Sequence, residues 1–316
     1  MKTKIAAILL VVALALAVVA PPAFAAKPVE PPYKTTPQDL PVVRLPAYLL
    51  AGGPAPAGGN PHGGPPGQDK KPPPAPEVNK WAVVIGIADY SGVQYDLWHP
   101  DEDAIEMKQA LIENYGFPED NIKVLLNRRA TARAILRAID WLAKNEDAES
   151  SVAFFFCGHG FQVADSEGWD NDVEWDGVDE GIVSYDMFGI TDGQLRDKFS
   201  AFETEKFALA FGQCYSGGMF DDDDDLQAAG RVISSASTAD QSSWDYYYLD
   251  NTLFGYYFID EGILQELAET DEAADGVSME EALAYAQWGM AEGPETELPY
   301  TSDPQIYDGF AGELIP

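Results

Sequence analysis

Two stretches of this chain hold side chains that could do covalent chemistry. One is "FFFCGHGFQ", Phe154 to Gln162, in which an apolar run stops at a histidine set between Gly158 and Gly160. The other is "FGQCYSGGM", Phe211 to Met219, in which an apolar run ends on Cys214 ahead of a small-residue turn. The chain has three histidines and two cysteines. A thiol is a nucleophile near neutral pH only beside a base or an electropositive group that holds it as thiolate. His159 is the histidine at the end of a strand-like run, whereas His62 lies in a Pro/Gly-rich stretch. The backbone amides of Gly160 and Cys214 are placed to donate to a developing oxyanion, a contribution of about 3 kcal/mol per donor. Spacing identifies no Asp or Asn to orient the imidazole, so the pattern reads as a Cys–His dyad.

The elements around these residues must bring them together. "KWAVVIGIADY", "NIKVLL", "SVAFFFC", "EKFALAFGQC" and "GRVISSAS" read as five buried strands. Between the first two, "HPDEDAIEMKQALIENYGF" has acids in its first turn and Gly116 as a stop, the pattern of a helix. "TARAILRAIDWLAKN" opens on Thr131 and lines up Ile135, Leu136, Ile139 and Leu142 on one face. "NTLFGYYFIDEGILQEL" and "SMEEALAYAQWGM" are later helices. Continuous apolar strands alternating with amphipathic helices predict an α/β fold: a three-layer, open, mostly parallel sheet with helices on both faces. Function in such sheets gathers at the carboxyl ends of strands. His159 and Cys214 end the third and fourth strands, so they arrive on one edge.

Residues 1–25 have Lys2 and Lys4, an uncharged apolar stretch and then Ala23-Phe24-Ala25, the pattern of a signal peptide cleaved after Ala25 or Ala26. The alternative is an uncleaved anchor, but Ile5 to Ala20 is short for a span of about 20 residues, and Pro21-Pro22 ends it. The expected location is secreted, or extracytoplasmic, with no stable membrane insertion after cleavage. Residues 26–79 are rich in Pro, Gly and Ala and predict a disordered linker or propeptide. Residues 80–316 are long enough for one sizeable core. Fifty-three acids against 19 lysines plus arginines give a net charge of −34. That disfavours nucleic acid and anionic membranes as partners. Most of these charges fit a protein kept soluble at high salt; the run Asp221–Asp225 is more local.

The two motifs resemble those of caspase-like cysteine peptidases, metacaspases and their prokaryotic relatives above all. There an apolar strand runs into Ser-Gly-His-Gly and another ends in Cys-x-Ser-Gly. "WAVVIGIADY", "HPDEDA", "ATARAILRAIDWL", "DGVDEGIVSYD" and "ISSASTADQSS" are similar, in order, to further segments of that family. The likeness runs from about Trp81 to Phe258. It implies His159 as general base and acid and Cys214 as nucleophile. Gly160 and Cys214 would supply the oxyanion amides, and a protein or peptide substrate would be cut through a thioester acyl-enzyme.

The resemblance also carries expectations about specificity and metal. The family commonly has Asp two residues before the nucleophile, where this chain has Gly212 followed by Gln213. An acidic pocket for a basic residue before the scissile bond would then come from Asp101 or Asp103, which also read simply as first-turn helix acids. Gln213, Ser237 and Gln241 complete the expected pocket. Calcium activation is implied through Asp176, Asp179, Asp192 and Asp221, although Asp192 is followed by Gly193 rather than a second Asp. The alternative there is a solvated acidic loop. Cys157 stands where relatives have Ser. It reads as a packed residue, or as one half of a Cys157–Cys214 redox latch. Two other functions fit the pattern: a transpeptidase of the same clan, and a catalytically silent, calcium-dependent surface binding protein. Oligomeric state has no sequence signature here.

Overall fold

The computed structural model describes residues 43–44, 79–170, 176–222, 225–270, 276–293 and 300–316. The expected leader (1–25), and residues 26–79 apart from Val43, Arg44 and Asn79, lie outside them.

The main sheet is built from β2 (Lys80–Gly86), β3 (Ile122–Leu126), β4 (Ser151–Cys157), β8 (Phe207–Phe211), β9 (Arg231–Ser235) and β12 (Gln305–Asp308). Their spatial order is β12-β9-β8-β4-β2-β3; all neighbours are parallel except β12, which runs antiparallel to β9. Side chains alternate between the two faces of these strands. Val83, Ile85, Phe154, Phe156, Leu209 and Phe211 pack on one face with α2 (Ala132–Asn145) and α3 (Asp192–Phe199). Ala82, Val84, Ala153, Phe155, Cys157 and Ala210 pack on the other with α1 (Pro100–Glu113) and α5 (Met279–Glu292). Helix α4 (Leu253–Gly255), which continues as a π-helical stretch (Tyr256–Leu264), covers that second face as well. This is the three-layer architecture expected from the apolar runs.

Local sequence sets the helix ends. Pro100 opens α1, and Asp101, Glu102 and Asp103 fill its first turn, where the positive end of the helix dipole favours them. The Thr131 hydroxyl accepts the Ala134 N–H ahead of α2. Ser278 and Glu281 form a reciprocal capping box at α5.

A second sheet was not legible in the chain. β5 (Gly160–Ala164), β6 (Val178–Val183) and β7 (Phe188–Thr191) form antiparallel pairs directly after His159. Within residues 26–79, β1 (Val43–Arg44) pairs antiparallel with Gly189 and Phe188. β1 thereby pairs with part of the β7 edge. Two further short strands, β10 (Asp245–Tyr246) and β11 (Asn251–Thr252), pair beside the N-terminus of α1. Among the described residues, no helix is long and apolar enough to cross a membrane.

Candidate active site

β4 hands the chain to β5 through Gly158 and His159. A side chain at Gly158 would come within 2.5 Å of the Tyr90 hydroxyl, so the position needs glycine. That hydroxyl accepts the His159 backbone N–H at 2.7 Å, and the Tyr90 ring lies 4.8 Å from the imidazole. On its far side, His159 Nε2 lies 2.8 Å from the Tyr95 carbonyl oxygen. A carbonyl only accepts, so Nε2 carries the proton in the neutral ring and Nδ1 holds the basic lone pair. The candidate dyad therefore has an orienting third member. It is a backbone oxygen, which no side-chain pattern could announce.

β8 lies directly beside β4, with Phe156 opposite Phe211, and carries the chain to Cys214. Tyr215 then takes a left-handed conformation (φ 60°), held by its N–H bond to the Gln241 carbonyl at 2.8 Å. This is a costly geometry for a non-glycine residue, and it turns the chain sharply after Cys214. The Cys214 thiol donates to the Ser243 carbonyl at 3.7 Å, while the Ser243 hydroxyl spans the Gly212 carbonyl (3.0 Å) and the sulfur (3.8 Å). Both candidate catalytic side chains are nearly enclosed, at 5% exposure for His159 and 8% for Cys214.

Gly160 joins the two strand ends. A Cβ there would overlap the Cys214 carbonyl oxygen and press on the Gln213 side chain at 2.7 Å. Val183 N donates to His159 O at 2.9 Å, and Gly160 faces Ile182 in the β5–β6 ladder. Hydrogen-bonded and non-bonded pairs alternate in an antiparallel ladder, so the Gly160 N–H points away from β6. β5 is the outer strand of its sheet. The amide is thereby directed off the ladder, as an oxyanion donor requires.

Burial pushes the Cys214 thiol up from its ordinary value. It pushes His159 down, partly opposed by the Tyr95 carbonyl and the Asp96 charge. Both shifts favour the uncharged forms, thiol and imidazole. Burial also raises the Cys157 thiol well above its usual range, with the Asp103 charge adding to it. Both cysteines are free, and they face different partners: Cys157 Sγ bonds Asp103 Oδ2 at 3.3 Å. Cys157 is a packed residue on the α1 face, and the two thiols form no latch in this structure.

The expected pocket residues separate. Asp103 is fully buried and accepts from Thr252 N and Asn251 Nδ2 (3.1 Å each), from Thr252 Oγ1 (2.6 Å) and from Cys157. Four donors enclose it, so the expectation that it meets substrate is corrected; burial raises its pKa to about 7. Ser237 is likewise buried and holds Ser216, two residues past the nucleophile. The Gln213 amide is buried with no hydrogen-bond partner among the described residues. Gln241 is bound through its side chain to Asp303. Asp101 alone among the expected acids stays partly open. Its Oδ2 accepts from Asn127 at 2.7 Å, and its side chain is paired with that of Glu102, which burial, the hydrogen bond to Asp101 and the Asp101 charge raise to about 9. Asp245, which sequence reasoning missed, stands with it. One Asp245 oxygen accepts from Trp98 N (2.5 Å) and His99 N (3.2 Å), and the other is buried without such a partner among the described residues. Burial raises Asp245 to about 6, opposed by those amides and His99, and Asp101 raises it further.

The expected calcium ligands also regroup. Asp179 and Asp192, both fully buried, offer oxygens within 4.8 Å of each other and of Asp170, which was not foreseen. Asp176 and Asp221 instead gather with Asp225 around Glu180, the next residue along β6, whose side chain takes the opposite face. Burial, with these acids adding to it, raises Glu180 to about 9.

An open α/β sheet that brings a tautomer-fixed histidine and a cysteine to one edge, with a directed amide between them, defines a thiol–imidazole site. The chain belongs to the caspase-domain family of cysteine peptidases, whose peptidase C14 description matches residues 79–307. It is 33% identical over 151 residues to Metacaspase-4 of Arabidopsis thaliana, a match covering 46% of this chain and 35% of that protein. Metacaspase-6 of the same plant is 34% identical over 151 residues, covering 45% and 39%. The chain therefore spans little more than a third of the length of these relatives. A crystal structure of a Geobacter sulfurreducens protein shares the fold, with a TM-score of 0.53 at 18% identity, covering 74% of this chain and 94% of that one.

Proposed function

We propose that this chain is an extracytoplasmic cysteine endopeptidase that cuts after basic residues. The observation that carries the reading is the fixed tautomer of His159, which leaves Nδ1 as the base on the edge where Cys214 arrives. Nδ1 takes the thiol proton as Sγ attacks the scissile carbonyl carbon. The Gly160 and Cys214 amides hold the oxyanion; losing one such donor costs about 3 kcal/mol, or 10²–10³ in rate. The imidazolium then protonates the leaving amine as the C–N bond breaks, giving a thioester. Water, deprotonated by the same nitrogen, attacks the thioester; Sγ leaves, takes the proton back, and the thiol is restored.

A basic side chain fits the acidic group formed by Asp101 and Asp245. Asp245 keeps one carboxylate oxygen buried and without a hydrogen-bond partner among the described residues, Asp101 shares its charge with the Glu102 carboxyl, and a guanidinium or ammonium would compensate the group. Asp245 lies two residues beyond Ser243, which touches the nucleophile. Calcium is the proposed activator. The oxygens of Asp170, Asp179 and Asp192 are hard donors spaced to share one cation, which would neutralise two buried carboxylates beside β6. Digestion of a peptide library, with and without calcium, tests these points against a Cys214→Ala control. Cleavage after Lys or Arg, lost in the control, is the expected result. Cleavage after Asp, or activity surviving Cys214→Ala, would refute it. Transfer of the acyl group to an added amine instead of water would mark a transpeptidase. Failure of a thiol-directed probe to label Cys214 would mark a silent binding protein.

A further inference from the structure

The loop that follows β2 encloses the catalytic histidine, and its own closure rests on one carboxylate. We infer that Tyr90 and Asp96 are positioning residues for His159: Asp96 ties the end of the 90–96 loop to its beginning, and the closed loop presents the Tyr90 hydroxyl and the Tyr95 carbonyl to the histidine. This rests on the reading of His159 and Cys214 as the catalytic pair.

Asp96 Oδ1 accepts the Tyr90 backbone N–H at 2.9 Å, bridging six residues. Inside the bridge, Tyr95 N bonds Gly92 O at 2.9 Å, and just outside it Leu97 N bonds Ala88 O at 2.9 Å. The base of the loop is pinned by Asn127 Oδ1, which accepts from both Ala88 N and Asp89 N at 2.9 Å. The tip is tied down at one point, by the Ser91 N–H to the Tyr185 carbonyl at 3.0 Å, while the Ser91, Val93 and Gln94 side chains are exposed, Val93 at 81%. The Tyr95 ring packs against the core, but without the carboxylate its backbone would be closed only by the Gly92 and Leu97 bonds, and its carbonyl is what holds Nε2–H. Tyr90 acts at the other end of the ring. Its hydroxyl receives the His159 N–H, passes its own proton toward the Val183 carbonyl (3.4 Å), and its ring lies against the imidazole. One loop thus fixes the backbone, the ring plane and the tautomer of His159.

Asp96 also acts through its charge, which favours the imidazolium. The other groups around this site are Asp89, raised by burial and by the charges of Asp101 from α1 and Asp96, and the Cys157 and Cys214 thiols, whose charges would act on Tyr90.

The experiment begins with the wild type, Cys214→Ala and His159→Ala in a peptide-cleavage assay. If the two single variants retain wild-type turnover, the peptidase reading fails, and the loop is judged by NMR alone. The informative variants are Asp96→Asn, Asp96→Ala and Tyr90→Phe. Asp96→Asn keeps an oxygen for the Tyr90 N–H but removes the charge. The His159 pKa and the acid limb of kcat/KM should both move to lower pH, with the plateau kcat nearly retained. Asp96→Ala and Tyr90→Phe should lower kcat by about 10- to 100-fold, the scale of a small misplacement of a catalytic group, with KM unchanged. The ring titration is followed by NMR; with three histidines in the chain, His159→Ala assigns the signal. An unshifted His159 titration in Asp96→Asn, together with wild-type kcat in the other two, overturns the inference. So does a loss of melting temperature alone with kcat and pH profile intact.

Discussion

Two residues that depart from the family's motifs, Gly212 and Cys157, are packed against each other, and substituting both should reveal the coupling. An ideal Cβ on Gly212 would lie 2.7 Å from Cys157 Sγ and 3.2 Å from its Cβ, well inside the 3.5–4.0 Å of a comfortable carbon contact. The sulfur cannot retreat, because it is fully buried and bonded to Asp103. Gly212→Ala therefore overpacks the end of β8 and should cost about 1–3 kcal/mol. At roughly 2–4 °C per kcal/mol for a domain of this size, the melting temperature falls by about 2–12 °C. Cys157→Ala removes a methyl-sized group and one of four donors to Asp103, a cost of about 1–2 kcal/mol. In the double variant the new methyl occupies the space the sulfur leaves. The pair should then be more stable than the sum of the singles by about 1–3 kcal/mol. Urea unfolding of all four proteins, each carrying Cys214→Ala to suppress self-cleavage, measures the cycle. Additivity within about 0.5 kcal/mol would refute the packing argument. The same geometry explains why an Asp two residues before the nucleophile, common in the family, has no room here.

Other expectations follow from buried groups. Asp245, Asp103 and Glu180 are raised by burial to about 6, 7 and 9, above their unfolded values. Stability they contribute is complete at acid pH and is lost as pH rises through those values, so the melting temperature should be higher at pH 5 than at pH 8.5. Asp103→Asn should flatten the middle of that curve, and a melting temperature that climbs with pH would contradict it. Because the Cys214 thiol is raised and His159 lowered, iodoacetamide should label the free enzyme slowly at pH 7 and faster toward alkaline pH. Rapid labelling that is flat between pH 6 and 8 would instead mean a preformed thiolate–imidazolium pair. Calcium should raise the melting temperature of the wild type and not of Asp192→Asn, since binding to the folded state alone stabilises it. An equal rise in both would move the cation elsewhere.

Much of the site was legible because it is written locally. An apolar run that can only be a buried strand, ending at a histidine or a cysteine with glycine beside it, states both the element and the edge where the residue emerges. The alternation of Val83 and Ile85 with Ala82 and Val84, and of Phe154 and Phe156 with Ala153 and Phe155, requires a sheet covered on both faces. The amphipathic helix from Ala132 to Asn145 is equally self-evident.

What the chain could not reveal depends on partners far away in sequence, or on groups that every residue carries. The carbonyl that orients His159 belongs to Tyr95, and its role comes from a turn, not from its side chain. Asp101 and Asp103 are the same residue type in one helical turn, yet one is enclosed by Thr252, Asn251 and Cys157 while the other stays partly open beside Asn127. Asp245 and Asp170 joined their clusters only when β10 met the Trp98–His99 segment ahead of α1 and when Trp169–Asp170 came to lie beside β6 and α3. β5, β6 and β7 are short and interrupted by glycine and acids, so their pairing is decided by contacts across the sheet and not by periodicity. Composition and local pattern determine which side chains can react and which faces must be buried. Only the folded chain decides which backbone oxygen, which of two neighbouring carboxylates and which distant acid share their space.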